Sequence, residues 1–168
     1  MGSFTVRHTF NCDVDTFWEK IFLDPEFNKE LYLKELNFDG YDVLEERDEG
    51  DKLHRRIRTA PRSEAPKAVK KVLGDSLSYV EEGFLDRAEK KYRYKVIPST
   101  LADKSDIGGE LWAEPRGEGK CERICRVNIK IKVFGVGKLV ESFVEKTTAD
   151  SYDQAAVFTN KFIERQGL

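Results

Sequence analysis

The sequence predicts an α+β fold: a curved antiparallel sheet of about seven strands gripping a long C-terminal helix, with two short helices after the first strand. Three observations carry this. From Val136 onward, Val140, Phe143, Val144, Thr147, Ala155, Phe158 and Phe162 recur at helical spacing, with Lys138, Glu141, Glu145, Lys146, Asp150 and Asp153 between them. Spacing of three and four residues makes one apolar face and one wet face. A helix from about 137 to 165 would run roughly 40 Å at 1.5 Å per residue, longer than a small domain is wide, so it must lie along a sheet. Second, six segments upstream alternate with period two and are joined pairwise by short polar turns. Third, one further strand at the N-terminus runs into two capped helical segments. A long helix held by a curved sheet encloses apolar space, which makes cavity binding the first functional expectation.

Each element has its reason. Residues 3–10 alternate Phe4, Val6, His8 and Phe10 against Thr5, Arg7 and Thr9, a strand with one buried face. Asn11 or Asp13 caps a helix over 15–22. Asp24 caps a second helix with Pro25 at its first position, where the missing N–H costs nothing. Residues 36–47 and 52–59 read as a hairpin turned at 48–51. Pro61 and Pro66 bracket a loop, and 66–73 is a short helix ended by Gly74. Residues 77–84 with 90–97, and 106–114 with 121–133, form two more hairpins. The corner Phe134-Gly135-Val136-Gly137 then leads into the long helix. Neither a repeat nor a linker breaks the order, so 1–168 reads as a single ligand-binding domain.

Composition narrows the function classes. Aromatic residues make up 11% of the 168, including 11 Phe, enough apolar surface to disfavour disorder. There is no run of eighteen apolar residues and no signal-peptide pattern, so a cytoplasmic location is the expectation. Met1-Gly2 resembles a myristoylation start, but Val6 stands where that motif needs Ser or Thr. Cys121 and Cys125 share a strand face about 13 Å apart, too far for a disulfide or a shared metal. With Cys12 they read as free buried thiols, and neither a metal nor a cofactor is expected.

The net charge of −2 hides an asymmetry: residues 39–51 carry a net −6 and residues 52–71 a net +7. One reading is a hairpin with opposite charges paired across its ladder. The other is a basic lip for anionic lipid headgroups. Nucleic acid is not an expected partner, because the basic run lacks interleaved aromatics and the chain is slightly acidic.

The strand into an Asp-capped helix at Phe10-Asn11-Cys12-Asp13-Val14-Asp15-Thr16-Phe17-Trp18, the Gly83-Phe84-Leu85-Asp86 run and the Phe134-Gly135-Val136-Gly137-Lys138-Leu139-Val140-Glu141 corner resemble the START-like, or helix-grip, superfamily. That superfamily (SRPBCC, Bet v 1-like) includes START lipid-transfer proteins, the Bet v 1 group and polyketide cyclases, and within it the chain is most similar to the DUF2505 family. The Leu53-His54-Arg55-Arg56-Ile57-Arg58 strand also resembles PRELI-type phospholipid carriers. The likeness covers essentially the whole chain, and its motifs are structural punctuation without a catalytic signature. It implies a ligand-sized hydrophobic cavity and leaves the ligand open.

Strand parity supplies the candidate site. Arg55 shares a face with Leu53, Ile57 and Thr59, and Glu81 shares one with Leu77 and Tyr79, so an inward Arg near an inward Glu is expected to bind a polar headgroup or to form an internal ion pair. Tyr79, Tyr92, Tyr94 and Trp112 are the candidate hydroxyl and indole donors, and Ile129, Ile131, Val140 and Val144 complete the walls of a void of a few hundred cubic ångström. Contact with an anionic membrane is assigned to Arg62, Lys67, Lys70, Lys71 and Val72, on a Pro-bracketed flap over 60–74. No catalytic residue is assigned; His8, beside Phe4, Val6 and Phe10, is expected to be a hydrogen-bonded core residue. The expected function is non-enzymatic binding or transport of a hydrophobic small molecule, a lipid, sterol or isoprenoid. The alternative is a cyclase- or dehydratase-like enzyme drawing on His8, Glu81 or Tyr79, which would need titratable groups converging on one point.

Overall fold

A computed structural model describes residues 2–62 and 64–168. Met1 of the opening motif and Ser63 of the flap lie outside the described residues. Strand β1 (Gly2–Phe10) is followed by α1 (Val14–Thr16), α2 (Pro25–Glu30), β2 (Gly40–Asp48), β3 (Lys52–Ala60), α3 (Lys67–Leu73), β4 (Tyr79–Asp86), β5 (Lys91–Pro98), β6 (Ser105–Pro115), β7 (Cys121–Ile131) and α4 (Gly137–Gln166). The seven strands make one antiparallel sheet in the order β1-β7-β6-β5-β4-β3-β2. The 30 residues of α4 span roughly 45 Å at 1.5 Å each and lie mainly against β1 and β7. This is the helix-grip fold.

The caps sit where short polar residues can reach orphan amides. Asp13 Oδ1 accepts from the Thr16 N–H at 2.8 Å, and Asp24 Oδ2 accepts from the Phe27 N–H at 2.8 Å. Both helices then widen into π turns, Phe17–Phe22 and Leu31–Glu35, with Leu23 N–H bonded to Trp18 O at 3.1 Å and Leu36 N–H to Leu31 O at 2.8 Å. The second π turn ends at Glu35, and residues 36–39, expected in a strand, pass outside the ladder, so β2 starts at Gly40 and not at 36. Asn37 adopts φ 54° and the Phe38 N–H donates back to the Tyr32 carbonyl at 2.8 Å, which keeps this stretch out of the ladder.

The charged hairpin pairs across its own ladder. Asp42 faces Arg58 and Glu45 faces Arg56 in register, and Arg58 Nη2 lies 3.4 Å from Asp42 Oδ2. Asp48 is held by Arg87 at 2.7 Å, which keeps its carboxyl below the usual range, and Arg62 pairs with Asp39.

The apolar face of α4 is buried as expected at Val140, Ala155, Phe158 and Phe162. Phe158 and Phe162 pack on Phe27 of α2, with ring centroids 5.4 and 5.1 Å away, while Phe143 is half-buried. Glu141, expected in water, instead accepts the Ile131 N–H at 2.7 Å and finishes the end of β7. All three cysteines are free and buried. Among the described residues no helix is long and apolar enough to cross a membrane, and no cluster of His, Cys, Asp and Glu could hold a metal.

Candidate functional site

Between the concave face of the sheet, the two π turns and α4 lies a cavity of about 500 Å³. Its walls are mostly apolar and aromatic: Phe17, Ile21 and Phe22 from the first π turn, Leu31 and Tyr32 from the second, Tyr92, Tyr94, Ile107, Leu111 and Val127 from the sheet, and Phe143 and Val144 from α4. Exposed lining residues mark where it meets solvent: Arg62 and Glu64 ahead of α3, and Asp150 and Gln154 on α4. The volume falls in the range of small-molecule sites.

Two glycines shape the floor. A Cβ at Gly83 of β4 would overlap the Tyr92 hydroxyl, and one at Gly109 of β6 would lie 2.8 Å from the Tyr94 hydroxyl. Their missing side chains let the two tyrosines from β5 lie over neighbouring strands, stacked with centroids 5.9 Å apart. Tyr92 leans toward β3 and β4, and Tyr94 toward β7, where its hydroxyl meets Cys125 Sγ at 3.6 Å.

The first polar pole is built on Tyr92. Arg55 Nε donates to the Tyr92 hydroxyl at 3.2 Å, and that hydroxyl donates to Glu81 Oε2 at 2.7 Å. The guanidinium lies over Phe22 and Tyr92, 4.5 and 4.9 Å from their centroids. Arg55 and Glu81 are thus joined through a hydroxyl and form no direct ion pair. Burial raises the Tyr92 pKa, with the Glu81 charge adding to it, so the phenol stays protonated and donating. For Arg55 burial works against the cation, but Tyr92 and Glu81 outweigh it and raise its pKa. Tyr79, pushed up to about 12 by burial, completes this end.

The second pole lies on β7, four strands from β3 and so on the order of 19 Å away along the sheet at about 4.8 Å per strand. Arg123, 7% exposed, lines the cavity. His8 is its register partner on β1, and Arg123 Nη2 donates to His8 Nδ1 at 3.0 Å and to the Tyr152 carbonyl at 3.3 Å. His8 Nε2 donates in turn to Asp153 Oδ1 at 2.8 Å. Burial lowers the His8 pKa and Arg123 lowers it further, although Asp153 opposes them; the neutral ring with its proton on Nε2 fits both bonds. Sequence reasoning did not find Arg123. Its parity with Cys125 and Val127 is the signal that points inward.

Arg55, Tyr79, Glu81, Tyr94, Ile131 and Val144 meet at the cavity wall. Three other candidates do not. Trp112 lies on the outer face of β6, opposite in parity to Ile107 and Leu111, where Lys91 and Arg126 sit over its ring at 5.0 and 5.5 Å and its indole N–H donates to Glu114. Ile129 and Val140 are packed in the core and do not border the void. Arg62 stands at the mouth, paired with Asp39. Lys67, Lys70 and Lys71 are exposed on α3, and Val72 is half-buried.

A family model described as "Protein of unknown function (DUF2505)" matches residues 5–163. No curated protein matches the sequence significantly. Among solved structures the fold is similar to TTHA0849 from Thermus thermophilus (TM-score 0.70, 16% identity, 99% of this chain and 100% of that one). It is similar to the ZhuI aromatase/cyclase from Streptomyces sp. R1128 (TM-score 0.69, 13% identity, 99% and 97%). It is also similar to norcoclaurine synthase from Thalictrum flavum, solved in complex with dopamine and hydroxybenzaldehyde (TM-score 0.66, 15% identity, 98% and 87%). At these identities the likeness is one of fold.

Proposed function

The chain belongs to the DUF2505 family, and on that footing we propose that it binds or carries a hydrophobic small molecule in its internal cavity, without chemical conversion, and meets an anionic membrane surface through α3. The cavity itself carries the proposal: about 500 Å³ of mostly apolar and aromatic wall with few polar groups. Removing about 400 Å² of apolar ligand surface from water is worth on the order of 10 kcal/mol at 25 cal/mol per Å², which association costs then reduce.

Binding is favoured over catalysis because the candidate acid–base groups are split between the poles, with Tyr79 and Glu81 at one end and His8 at the other, and His8 and Glu81 are each engaged by other side chains. His8 has both ring nitrogens engaged, one by Arg123 and one by Asp153, so neither is free to take a substrate proton. Glu81 is tied to Tyr92 at the opposite pole. The aromatase/cyclase and the synthase among the similar folds keep the enzymatic alternative in view, but these side chains are arranged for holding.

The test is to fill the cavity. Val144 is half-buried on α4 and lines the void, so Val144→Trp puts an indole into empty space with little disturbance of the core. The parent protein should bind the neutral dye Nile red at one site, and Val144→Trp should bind it at least about tenfold more weakly while melting within a few degrees of the parent. Equal dye binding by the two proteins would contradict the proposal.

A further inference from the structure

The two polar poles of the cavity are not equivalent in charge. Arg55 has the Glu81 carboxylate one hydroxyl away. Arg123 has none: among the described residues it forms no ion pair, and its hydrogen-bond acceptors are the neutral His8 ring and the Tyr152 carbonyl. The nearest carboxylate in that chain of bonds, Asp153, lies beyond the imidazole with its side chain 71% exposed to water. Only three buried side-chain N or O atoms among the described residues lack a hydrogen-bond partner: Trp18 Nε1, Thr59 Oγ1 and Arg123 Nε. Arg123 is the one of these residues that both carries charge and lines the cavity.

A guanidinium stays protonated in a protein, so burial cannot be relieved by loss of its proton. Stacking against Phe10 and Tyr152, 4.9 Å from each ring, holds the cation in place without neutralising it. Away from the exposed mouth residues Arg62, Glu64 and Asp150, the charged lining residues are Arg55, Glu81 and Arg123, which sum to one positive charge. A buried charge without a partner is costly, and the partner can be supplied by what fills the cavity.

We infer that the occupant is an apolar monocarboxylic acid whose carboxylate seats against Arg123 and whose hydrocarbon body fills the space toward Tyr94, Leu111 and Val144. This rests on the cavity reading above and adds the ligand's charge and orientation to it. His8 is a positioning residue here: its ring holds Nη2 from one side and so fixes how the guanidinium faces the void. Tyr152, through its carbonyl and ring, does the same from α4.

The test compares dodecanoic acid with dodecanol, two probes of equal chain length, by calorimetry at pH 7.5. The parent protein should bind the acid at least about tenfold more tightly, the scale of one charge-assisted hydrogen bond. Arg123→Gln should bring the acid down to the level of the alcohol, and Arg123→Lys should restore part of the preference. Equal affinity of the parent for both probes overturns the inference and leaves the cavity reading standing, whereas absence of binding by either probe overturns both. A preference that survives Arg123→Gln overturns the assignment to Arg123. If the variants do not fold, carboxyl-labelled dodecanoic acid on the parent protein decides by NMR. Its bound carboxyl should stay ionised to a lower pH than the free acid, and a bound carboxyl titrating at or above the free value overturns the inference.

Discussion

At the scale of single residues, the most informative group is His8. It shares the inward face of β1 with Phe4, Val6 and Phe10, and it faces Arg123 on β7 and Asp153 on α4. Adding a second ring proton would set a donor against Arg123 Nη2, and burial already lowers the His8 pKa from its ordinary 6.5. The unfolded chain therefore takes up this proton before the folded one. Stability owed to the neutral ring is complete above about pH 6.5 and drains away as pH falls through the depressed folded value. The carboxylates held below their usual range by partners, Asp13 by Thr16, Glu30 by Arg165, Asp48 by Arg87 and Glu122 by Arg116, titrate at more acid pH and do not confuse this window. Urea unfolding at steps from pH 7.5 to 5.5 should show falling stability in the parent protein and a much flatter profile in His8→Gln. Parallel profiles would show that His8 does not carry the effect. The His8–Arg123–Asp153 chain was not legible in the sequence, because its members stand 115 and 145 residues apart and nothing local announces their meeting.

At the scale of elements, α3 and the β7–α4 corner frame the question of membrane contact. Lys67, Lys70 and Lys71 are exposed on α3, while Val69 and Leu73 are buried, so the helix is docked by its apolar side and offers its charges outward. At the corner, Phe134 is fully exposed, Leu139 is exposed one turn into α4, and Lys132 and Lys138 flank them. An aromatic wedge among lysines suits an anionic lipid interface, where each cation adds about 1 kcal/mol and the attraction fades within about 8 Å at physiological salt. Sedimentation with phosphatidylserine vesicles should be weak, lost at high salt, and abolished by changing Lys67, Lys70 and Lys71 together to Glu. A triple variant that sediments like the parent would return the basic run to plain solvation. Strand faces were legible from alternation, as Leu53, Arg55, Ile57 and Thr59 show by being buried together. Trp112 was misplaced because aromatic character suggested a cavity wall, while its parity against Ile107 and Leu111 puts it on the outer face. The π turns had no sequence signal, since the buried Phe17, Trp18 and Ile21 are spaced as in an ordinary helix.

At the scale of the whole molecule, two periodicities account for the architecture. Period two along seven strands and helical period over α4 set an apolar sheet face against an apolar helix face. The space between them remains open because glycines at 83 and 109 let Tyr92 and Tyr94 lie along the floor, and because the π turns roof it from the side. That a cavity exists follows from the element order; which groups it presents does not, because the poles are assembled across β1, β3, β4, β5, β7 and α4. The central claim is that this space is occupied by an apolar ligand in the cell. Native mass spectrometry of the protein purified from its own host tests it most directly, with solvent extraction to identify whatever is released. The account predicts a mass excess corresponding to one hydrophobic small molecule per chain, absent from the Val144→Trp variant prepared in the same way. A bare polypeptide mass in both proteins, with an extract holding no apolar compound in proportion to protein, would contradict it.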